Sequence, residues 1–300
     1  MEKVKLSDNL KLSRLVHGHW RMADWNMTKE ERVQLVEQTA ELGITSIDHA
    51  DIYGSYTCEQ LFGEALALKP GLRKDLQIIT KCGIKLKSKN RPEHQIKYYD
   101  TSKEHIFQSV ENSLKNFQTD YIDTLLIHRP DPYMDPEEVA EAFTTLKKQG
   151  KVLHFGVSNF TPSQFNMLSE YLSFPLVTNQ IEISPLYLGS FDNGAIEQCQ
   201  QKGISPMAWS PLAGGKLFKA ANEQAVRVRS TLEKIMEEVG ADSIDQVAYA
   251  WLLNHPANIL PVIGTGNIER IRSAVKALEI KLTRQQWFEV WQSSTGKEVD

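Results

Sequence analysis

Four side chains suited to proton transfer stand at the ends of three successive apolar segments. Asp48 and Tyr53 follow the first segment, Lys81 ends the second, and His128 ends the third. A free tyrosine is a weak acid with a pKa of about 10, and a neighbouring ammonium group favours the phenolate and lowers that pKa. A carboxylate can hold the ammonium in place, and a neutral imidazole can orient a polarised oxygen. These residue types predict that Tyr53 is a general acid assisted by the other three.

Eight short apolar segments along the chain have the length and composition of β-strands, and longer amphipathic segments follow nearly all of them. The predicted strands are Leu15–Gly18, Ser46–His49, Leu76–Lys81, Asp123–His128, His154–Ser158, Val177–Ile181, Pro206–Trp209 and Ile259–Ile263. This alternation predicts an α/β fold, a closed (β/α)8 TIM barrel, in preference to an open doubly wound sheet. None of the segments is followed by Gly-x-Gly-x-x-Gly, which weighs against a doubly wound dinucleotide-binding domain.

Catalytic groups of such barrels lie at the carboxyl ends of the strands. Asp48, Lys81 and His128 end three successive strands, and Tyr53 lies just beyond, so the predicted barrel brings all four to one mouth. An Asp–Lys pair taken alone would be interpreted as a structural ion pair. The tyrosine and histidine at neighbouring strand ends favour the catalytic interpretation.

Local signals predict the surrounding elements. Alternating apolar residues on both sides of Ser7–Asn9 predict an N-terminal β-hairpin. Helices are expected to begin at the following residues: Thr28, Ser102, Pro136, Thr161, Asn193, Ala225 and Ser243. Residues 85–100, 186–193 and those after Leu282 carry no clear pattern. No linker or low-complexity segment interrupts the chain, so residues 1–300 are expected to form a single domain.

Composition excludes several classes of protein. The chain is 41% hydrophobic and 24% charged, with a formal net charge of −4 and a pI of about 6.1, so neither disorder nor a nucleic-acid partner is expected. The N-terminus lacks the apolar segment of a secretory signal, and no stretch is apolar enough to cross a membrane. Three widely spaced cysteines fit neither a disulfide framework nor a zinc site. We expect a cytoplasmic protein.

His17 and His19 suggest a metal site as an alternative, because a His-x-His at the first strand of a barrel begins the ligand set of metal-dependent amidohydrolases. Such a site needs further histidines at later strand ends. Those ends instead carry Ser158–Asn159, Gln180 and Gly264. No metal is therefore expected.

Five motifs, in order between Leu12 and Trp287, resemble those of the aldo-keto reductase superfamily, in particular its bacterial NADP(H)-dependent members. They are Asp48–Gly54 with Glu59 and Gly63–Leu66, then Gly156–Phe160, Asn179–Glu182, Trp209–Leu212 and Ile263–Gly266. The resemblance implies a (β/α)8 barrel that reduces aldehydes or ketones with NADPH. It also implies that Asp48, Tyr53, Lys81 and His128 are the catalytic set.

The resemblance further assigns residues to the cofactor. Ser158, Asn159 and Gln180 would hydrogen-bond the nicotinamide carboxamide, and Trp209 would stack on the ring, where a tyrosine is common. The loop over the pyrophosphate would comprise Ser210, Pro211, Leu212, Gly214, Gly215 and Lys216. The loop at the 2′-phosphate would comprise Gly264, Thr265, Gly266, Asn267 and Arg270. Gly18, His19 and Trp20 would line the ribose.

Arg270 favours NADPH over NADH, because a guanidinium suits phosphate recognition. The sequence departs from the family nearby: Ser273 and Ala274 stand where many members have Glu-Asn, and Gly264 replaces a common lysine. The resemblance therefore assigns no residue to the adenine.

Two other functions are compatible with these residues. Lys81 as a nucleophile would make the protein a Schiff-base aldolase, and tight NADPH binding without turnover would make it a redox-sensing regulatory barrel. We expect a small-molecule carbonyl substrate, in a pocket to which Trp20, Trp25, Tyr56 and Tyr133 contribute. A monomer is expected, with a small homo-oligomer as the alternative.

Overall fold

The eight apolar segments form eight parallel strands closed into a barrel in the computed structural model, which describes residues 1–299. The strands in chain order are β1 (Lys3–Ser7), β2 (Leu10–Ser13), β3 (Val16–Gly18), β4 (Ser46–Asp48), β5 (Gln77–Cys82), β6 (Ile84–Lys85), β7 (Tyr98–Tyr99), β8 (Ile122–Ile127), β9 (Val152–Ser158), β10 (Asn179–Glu182), β11 (Met207–Trp209) and β12 (Leu260–Ile263). The order around the barrel is β10-β11-β12-β3-β4-β5-β8-β9. The predicted barrel is confirmed, and every strand bound lies within two residues of its prediction.

Strand register explains why the candidate residues come together. Asp48 at the end of β4 lies level with Gly18 of β3 and with Ile79 of β5. Lys81 is two residues further along β5, and its side chain is therefore on the same side of the strand as that of Ile79. The mouth of the barrel thus receives Lys81 from β5 just above Asp48 from β4.

The N-terminal hairpin is also confirmed, since β1 and β2 pair antiparallel across Asp8 and Asn9. The α-helices are α1 (Lys29–Glu41), α2 (Tyr53–Tyr56), α3 (Cys58–Leu66), α4 (Lys103–Phe117), α5 (Pro136–Lys148), α6 (Pro162–Glu170), α7 (Gly189–Asp192), α8 (Ala195–Lys202), α9 (Lys216–Lys219), α10 (Glu223–Val239), α11 (Ile244–Leu253), α12 (Ile268–Lys276) and α13 (Arg284–Thr295). Short 3₁₀ turns occupy Met22–Asp24, Pro70–Asp75, Ala213–Gly215 and Ala277–Glu279.

Side chains at the helix starts satisfy backbone N–H groups that have no partner within the helix. The Thr28 hydroxyl accepts from the backbone of Glu31, whose carboxylate accepts from the backbone of Thr28 in return. Thr161 forms the same reciprocal pair with Gln164. At α5 the Asp135 side chain is the cap, and Pro136 is the first helical residue. Proline suits that position because it has no N–H that needs a partner.

Three segments without a clear pattern contain regular structure. Residues 85–100 include β7, which pairs antiparallel with β6, and residues 186–193 include α7. The segment after Leu282 forms α13, which begins with a reciprocal pair between Thr283 and Gln286. The Thr-x-x-Gln pattern of that pair was readable in the sequence.

The chain divides into two compact units, the first comprising residues 1–179 with Gly264–Gly266 and the second the remainder. In the first unit, helices α3 and α4 pack so closely that a Cβ on Gly63 would lie 1.9 Å from the carbonyl oxygen of Asn116. Its apolar core includes Phe62 and Phe117. The expectation of a single domain stays a prediction.

The second unit has its own core around Trp251, which is fully buried. The indole N–H of Trp251 donates to the carbonyl oxygen of Trp287, and that of Trp287 donates to the carbonyl oxygen of Trp251, both at 3.0 Å. Their rings stack with centroids 5.0 Å apart. Helix α13 is therefore fastened to α11 by a reciprocal pair of hydrogen bonds. No helix in residues 1–299 is long and apolar enough to span a bilayer.

Candidate active site

The Lys81 ammonium is the centre of the candidate site, and its side chain is fully buried. Nζ donates to both oxygens of Asp48 at 2.8 and 2.9 Å, to the carbonyl oxygen of His49 at 2.7 Å, and to the hydroxyl of Tyr53 at 3.2 Å. A buried charge must be paired and hydrogen-bonded to be tolerated. These contacts meet that requirement and place the ammonium against the phenolic oxygen.

Burial and the charges of neighbouring groups shift the pKa values of Lys81 and Tyr53 in opposite directions. Burial lowers the pKa of Lys81, but attraction to Asp48 and Tyr53 more than offsets it, and the pKa is raised above its usual 10.5. Burial raises the pKa of Tyr53 above 10.0 and outweighs the lowering by Lys81. Lys81 therefore acts on Tyr53 in the expected direction, but the net pKa shift is upward. In this structure Tyr53 holds its proton at neutral pH.

His128 packs against the Tyr53 ring. Its ring centroid lies 5.8 Å from that of Tyr53, with the two rings nearly perpendicular. Burial, and then the positive charges of Lys81 and Arg129, lower the pKa of His128 well below 6.5. The imidazole is therefore neutral at pH 7 and can donate one hydrogen bond to an oxygen held near Tyr53.

The end of β9 adjoins His128. The amide of Asn159 donates to the hydroxyl of Ser158 at 2.8 Å and to the carbonyl oxygen of His128 at 3.4 Å. Asn159 adopts a left-handed backbone conformation (φ 62°), which asparagine tolerates better than most residues. A hydroxyl and an amide held side by side offer the donors and acceptors that a nicotinamide carboxamide requires. The residues present thus fit the expected group.

Two side chains, those of His17 and Trp25, contact the loop expected at the 2′-phosphate. The Nε2 atom of His17 lies 2.9 Å from the carbonyl oxygen of Thr265. Gly266 rests on the Trp25 indole, where an added Cβ would come within 2.7 Å of the ring. Trp25 therefore packs under this loop. Tyr56, another residue expected in the substrate pocket, has its hydroxyl bonded to the backbone of Leu86.

The other residues expected around the cofactor in the first unit differ in exposure. The His19 side chain is fully buried and Gly18 is buried, whereas Trp20 is 56% exposed with its ring 6.5 Å from that of Tyr53. The His19 imidazole is occupied by other histidines, so contact with the ribose would fall to its backbone. Tyr133 is almost fully exposed.

The second unit carries the remaining cofactor candidates. Gln180 is buried and Trp209 is half-buried. The segment Ser210–Lys216 is an irregular turn in which four residues have positive φ, namely Ser210, Ala213, Gly214 and Gly215. An added Cβ on Gly215 would meet nothing within 4 Å, so the backbone of this turn is open on that side.

Helix α12 begins at the expected phosphate loop. The Asn267 side chain caps the helix by accepting from the backbone of Glu269 and Arg270. Arg270 is exposed, while Arg272 lies 3.4 Å from the Glu269 carboxylate. Where the family often has a glutamate, the Ser273 hydroxyl donates to Asp245 at 2.9 Å. The cofactor roles of all these residues stay predictions.

A second polar region was not foreseen from the sequence. Asp51, three residues after Asp48, lines a polar cavity of about 370 Å³ with Glu59, His105 and Ser109. One Asp51 oxygen accepts from Ser109 at 3.0 Å, and the other is buried with no hydrogen-bond partner among residues 1–299. Burial and the nearby Glu59 raise the pKa of Asp51 to about 8. The only sequence signal was a second carboxylate in the motif around Asp48.

A model of the Aldo/keto reductase family matches residues 14–294. The chain belongs to this family. The uncharacterized oxidoreductase YcsN of Bacillus subtilis is 53% identical, and the 6-dehydroglucose reductase of Agrobacterium fabrum is 48% identical, each over 100% of both chains. The crystal structure of the thermostable aldo-keto reductase Tm1743 with the inhibitor epalrestat is 29% identical, with a TM-score of 0.83 over 98% of this chain and 100% of that one.

Membership of the aldo/keto reductase family supports an oxidoreductase that acts on small carbonyl compounds with a nicotinamide cofactor. Within residues 1–299, no group of three or more His, Cys, Asp or Glu side chains is arranged to hold a metal ion. His17 and His19, the origin of the metal alternative, bond to each other and to neighbours in the first unit.

Proposed function

We propose that this protein reduces an aldehyde or ketone to the alcohol with NADPH as reductant and Tyr53 as proton donor. The observation that carries the proposal is the buried ammonium of Lys81, which contacts the Tyr53 hydroxyl and both Asp48 oxygens. The Asp48 carboxylate fixes the ammonium beside the phenolic oxygen. A structural ion pair alone would not require a tyrosine hydroxyl as its third partner.

The cofactor would be held by Ser158, Asn159 and Gln180 at its carboxamide, by Trp209 and the Ser210–Lys216 turn, and by Thr265 and Arg270 at its 2′-phosphate. When bound, the reduced nicotinamide supplies hydride to the carbonyl carbon. The exposed Arg270 side chain supports NADPH over NADH, because the additional phosphate is the group that a guanidinium would recognise.

The remaining chemistry falls to the side chains of the chain itself. Tyr53 donates its phenolic proton to the carbonyl oxygen as negative charge develops there. The phenolate that remains is stabilised by Lys81, 3.2 Å away, whose raised pKa keeps it charged. His128, being neutral, donates a hydrogen bond to the same oxygen and orients the carbonyl. Solvent at the mouth then returns a proton to Tyr53.

We further propose that the substrate is a sugar aldehyde or a related hydroxylated carbonyl compound. Two relatives, 48% and 36% identical, are named 6-dehydroglucose reductase. The exposed indole of Trp20 beside Tyr53 offers an apolar face against which the C–H groups of a sugar ring can pack.

Lys81 gives no support to the aldolase alternative. A Schiff-base lysine must be accessible and must lose its proton. Lys81 is fully buried, is hydrogen-bonded to Asp48, His49 and Tyr53, and has a raised pKa. We also propose that the protein is a cytoplasmic monomer. The three buried cysteines form no disulfide, which supports a reducing compartment.

The test is NADPH oxidation with a panel of carbonyl compounds that includes 6-dehydroglucose, an aromatic aldehyde and methylglyoxal. Wild-type turnover is expected, and Tyr53→Phe should lower kcat by about 10²–10⁴-fold because the general acid is lost. Tyr53→Phe with undiminished turnover would refute the proton donor. Tight NADPH binding with no turnover on any carbonyl would favour the regulatory barrel.

A further inference from the structure

Three buried histidines form a continuous hydrogen-bonded row beneath the candidate site. His19 Nδ1 lies 2.9 Å from His49 Nε2, and His19 Nε2 lies 3.1 Å from His17 Nδ1. His17 Nε2 lies 2.9 Å from the carbonyl oxygen of Thr265. All three side chains are at most 1% exposed. The row begins at the expected phosphate loop and ends beside Asp48.

The contacts allow only one arrangement of protons when the three rings are neutral. A carbonyl oxygen can only accept, so His17 Nε2 must carry the proton and His17 Nδ1 must accept. His19 Nε2 must then donate to His17, and His19 Nδ1 must accept from His49 Nε2. His49 Nδ1 is left without a proton, which agrees with a buried nitrogen that has no partner in residues 1–299. An unpaired donor there would be more costly than an unpaired acceptor.

Burial keeps the row uncharged. It lowers the pKa of His17 to about 4, and it lowers the pKa of His19 and His49 well below 6.5. Neighbouring positive charge adds to the effect at His49, where Lys81 is the next largest cause. The His49 ring ends against Phe62 and Phe117, whose centroids are 4.8 and 5.1 Å away. The row therefore orients groups and does not carry protons to the mouth.

Each end of the row holds a group of the proposed site. At one end, His17 fixes the Thr265 carbonyl, and its ring stacks on Trp25, which supports Gly266. At the other end, the backbone carbonyl of His49 accepts from Lys81 Nζ at 2.7 Å. In the middle, the backbone N–H of His19 donates to the carbonyl of Asp48 at 2.9 Å.

We propose that His17, His19 and His49 are positioning residues that fix the loop Gly264–Gly266 and the Lys81 ammonium relative to each other. The assignment rests on the proposed function insofar as that loop binds the phosphate of NADPH. The main part of the proposal concerns the cofactor-free protein. In it, one row of histidines with fixed tautomers connects the loop to Lys81. His19, the central member, belongs to neither end and connects them.

The first experiment is ¹⁵N NMR of the histidine side chains in the cofactor-free wild type between pH 6 and 8. All three rings are expected to be neutral, protonated at Nε2 and unchanged across this range. A proton at Nδ1 of any of the three, or a charged ring, would overturn the assignment. This result does not depend on turnover, so it stands even if no carbonyl compound is reduced.

The second experiment breaks the row. His19→Phe retains a buried ring and removes both hydrogen bonds, and we expect faster amide exchange in residues 264–268 together with a changed ¹⁵Nζ resonance of Lys81. The kcat should fall and the Kd for NADPH should rise, each by about ten- to a hundredfold, since misplacement by about 1 Å has effects of that size. His255→Phe, a half-buried histidine outside the row, is the control and should leave all four quantities unchanged.

His17→Phe tests the two ends of the row separately. It is also the milder substitution, for use if His19→Phe folds poorly. It removes the bonds to Thr265 and His19 and retains the bond between His19 and His49. The Kd for NADPH should rise while kcat changes little. Wild-type exchange in residues 264–268 in both folded variants would overturn the proposal. A wild type that reduces no carbonyl compound would refute the proposed function alone.

Discussion

The Lys81 ammonium lies within 3 Å of both oxygens of the Asp48 carboxylate, and neither side chain reaches solvent appreciably. Such a pair need not stabilise the fold relative to two apolar residues, because burying the charges is costly. Removing one member should nevertheless destabilise the fold, since the other charge is left buried without its counter-charge. The pair is thus better explained by what it does for the Tyr53 hydroxyl than by stability.

Asp48→Asn should therefore destabilise the protein by about 3–5 kcal/mol and lower kcat. With the carboxylate, Lys81 has a raised pKa, and the stability it contributes is present below pH 10.5 and lost as pH rises through the folded-state pKa. Without the carboxylate, burial dominates, so the pKa of Lys81 falls and kcat should decline at a lower pH than in the wild type. Urea unfolding and the pH dependence of kcat measure both effects. Asp75→Asn, at an exposed aspartate, should match the wild type, and equal stability of the two variants would contradict the prediction.

Asp51 should make the protein less stable as pH rises toward 8. Burial, with the charge of Glu59, raises its folded-state pKa to about 8 from 3.8. The folded state therefore retains a proton that the unfolded state releases, and stability falls between those two pH values. In Asp51→Asn no proton is lost, so the Tm should decline less between pH 5 and pH 8.5. A Tm that falls equally in the variant and the wild type would show that Asp51 is ionised in the fold.

Gly63→Ala should destabilise the protein by at least about 3 kcal/mol, because the new methyl would lie 1.9 Å from the Asn116 carbonyl oxygen and force α3 away from α4. Gly71→Ala is the matched control, since its methyl would meet nothing within 4 Å. Urea unfolding of the two variants gives the comparison. Similar midpoints would mean that the two helices can separate at little cost.

Arg270→Ala should raise the Kd for NADPH by about tenfold and leave that for NADH unchanged, since the lost guanidinium contact is to the additional phosphate. Quenching of tryptophan fluorescence measures both. Arg272→Ala is the control, because that side chain faces Glu269. If the two variants lose equal affinity, the phosphate role assigned to Arg270 is wrong.

The barrel was predictable because its signals are local and repeated. Each strand is a short apolar segment, and helix starts such as Thr28 and Thr161 carry side chains that serve the backbone beside them. The pairing of β6 with β7 was not predictable, because it joins residues thirteen and fifteen positions apart through a polar segment. Patterns of apolar residues carry no information about such a pairing.

The site was predictable only in part, because only some of its contacts follow from positions in the sequence. Strand ends of a parallel barrel gather at one mouth, so Asp48, Lys81 and His128 could be placed together from their positions alone. The histidine row could not be derived, because it depends on which ring nitrogen faces which neighbour. His17 and His19 were visible as a pair, but only the bond between His19 and His49 shows that they connect to a third ring.

The reciprocal bonds between Trp251 and Trp287 have a consequence for synthesis of the chain. The core around Trp251 is completed by Val290, Trp287 and Trp291 of α13, which are synthesised after all other members of this core. The second unit therefore cannot close until residue 291 has left the ribosome, and the Trp251 indole N–H and the apolar faces of this core stay exposed until then. A nascent chain stalled before residue 284 would be a substrate for chaperones and proteases.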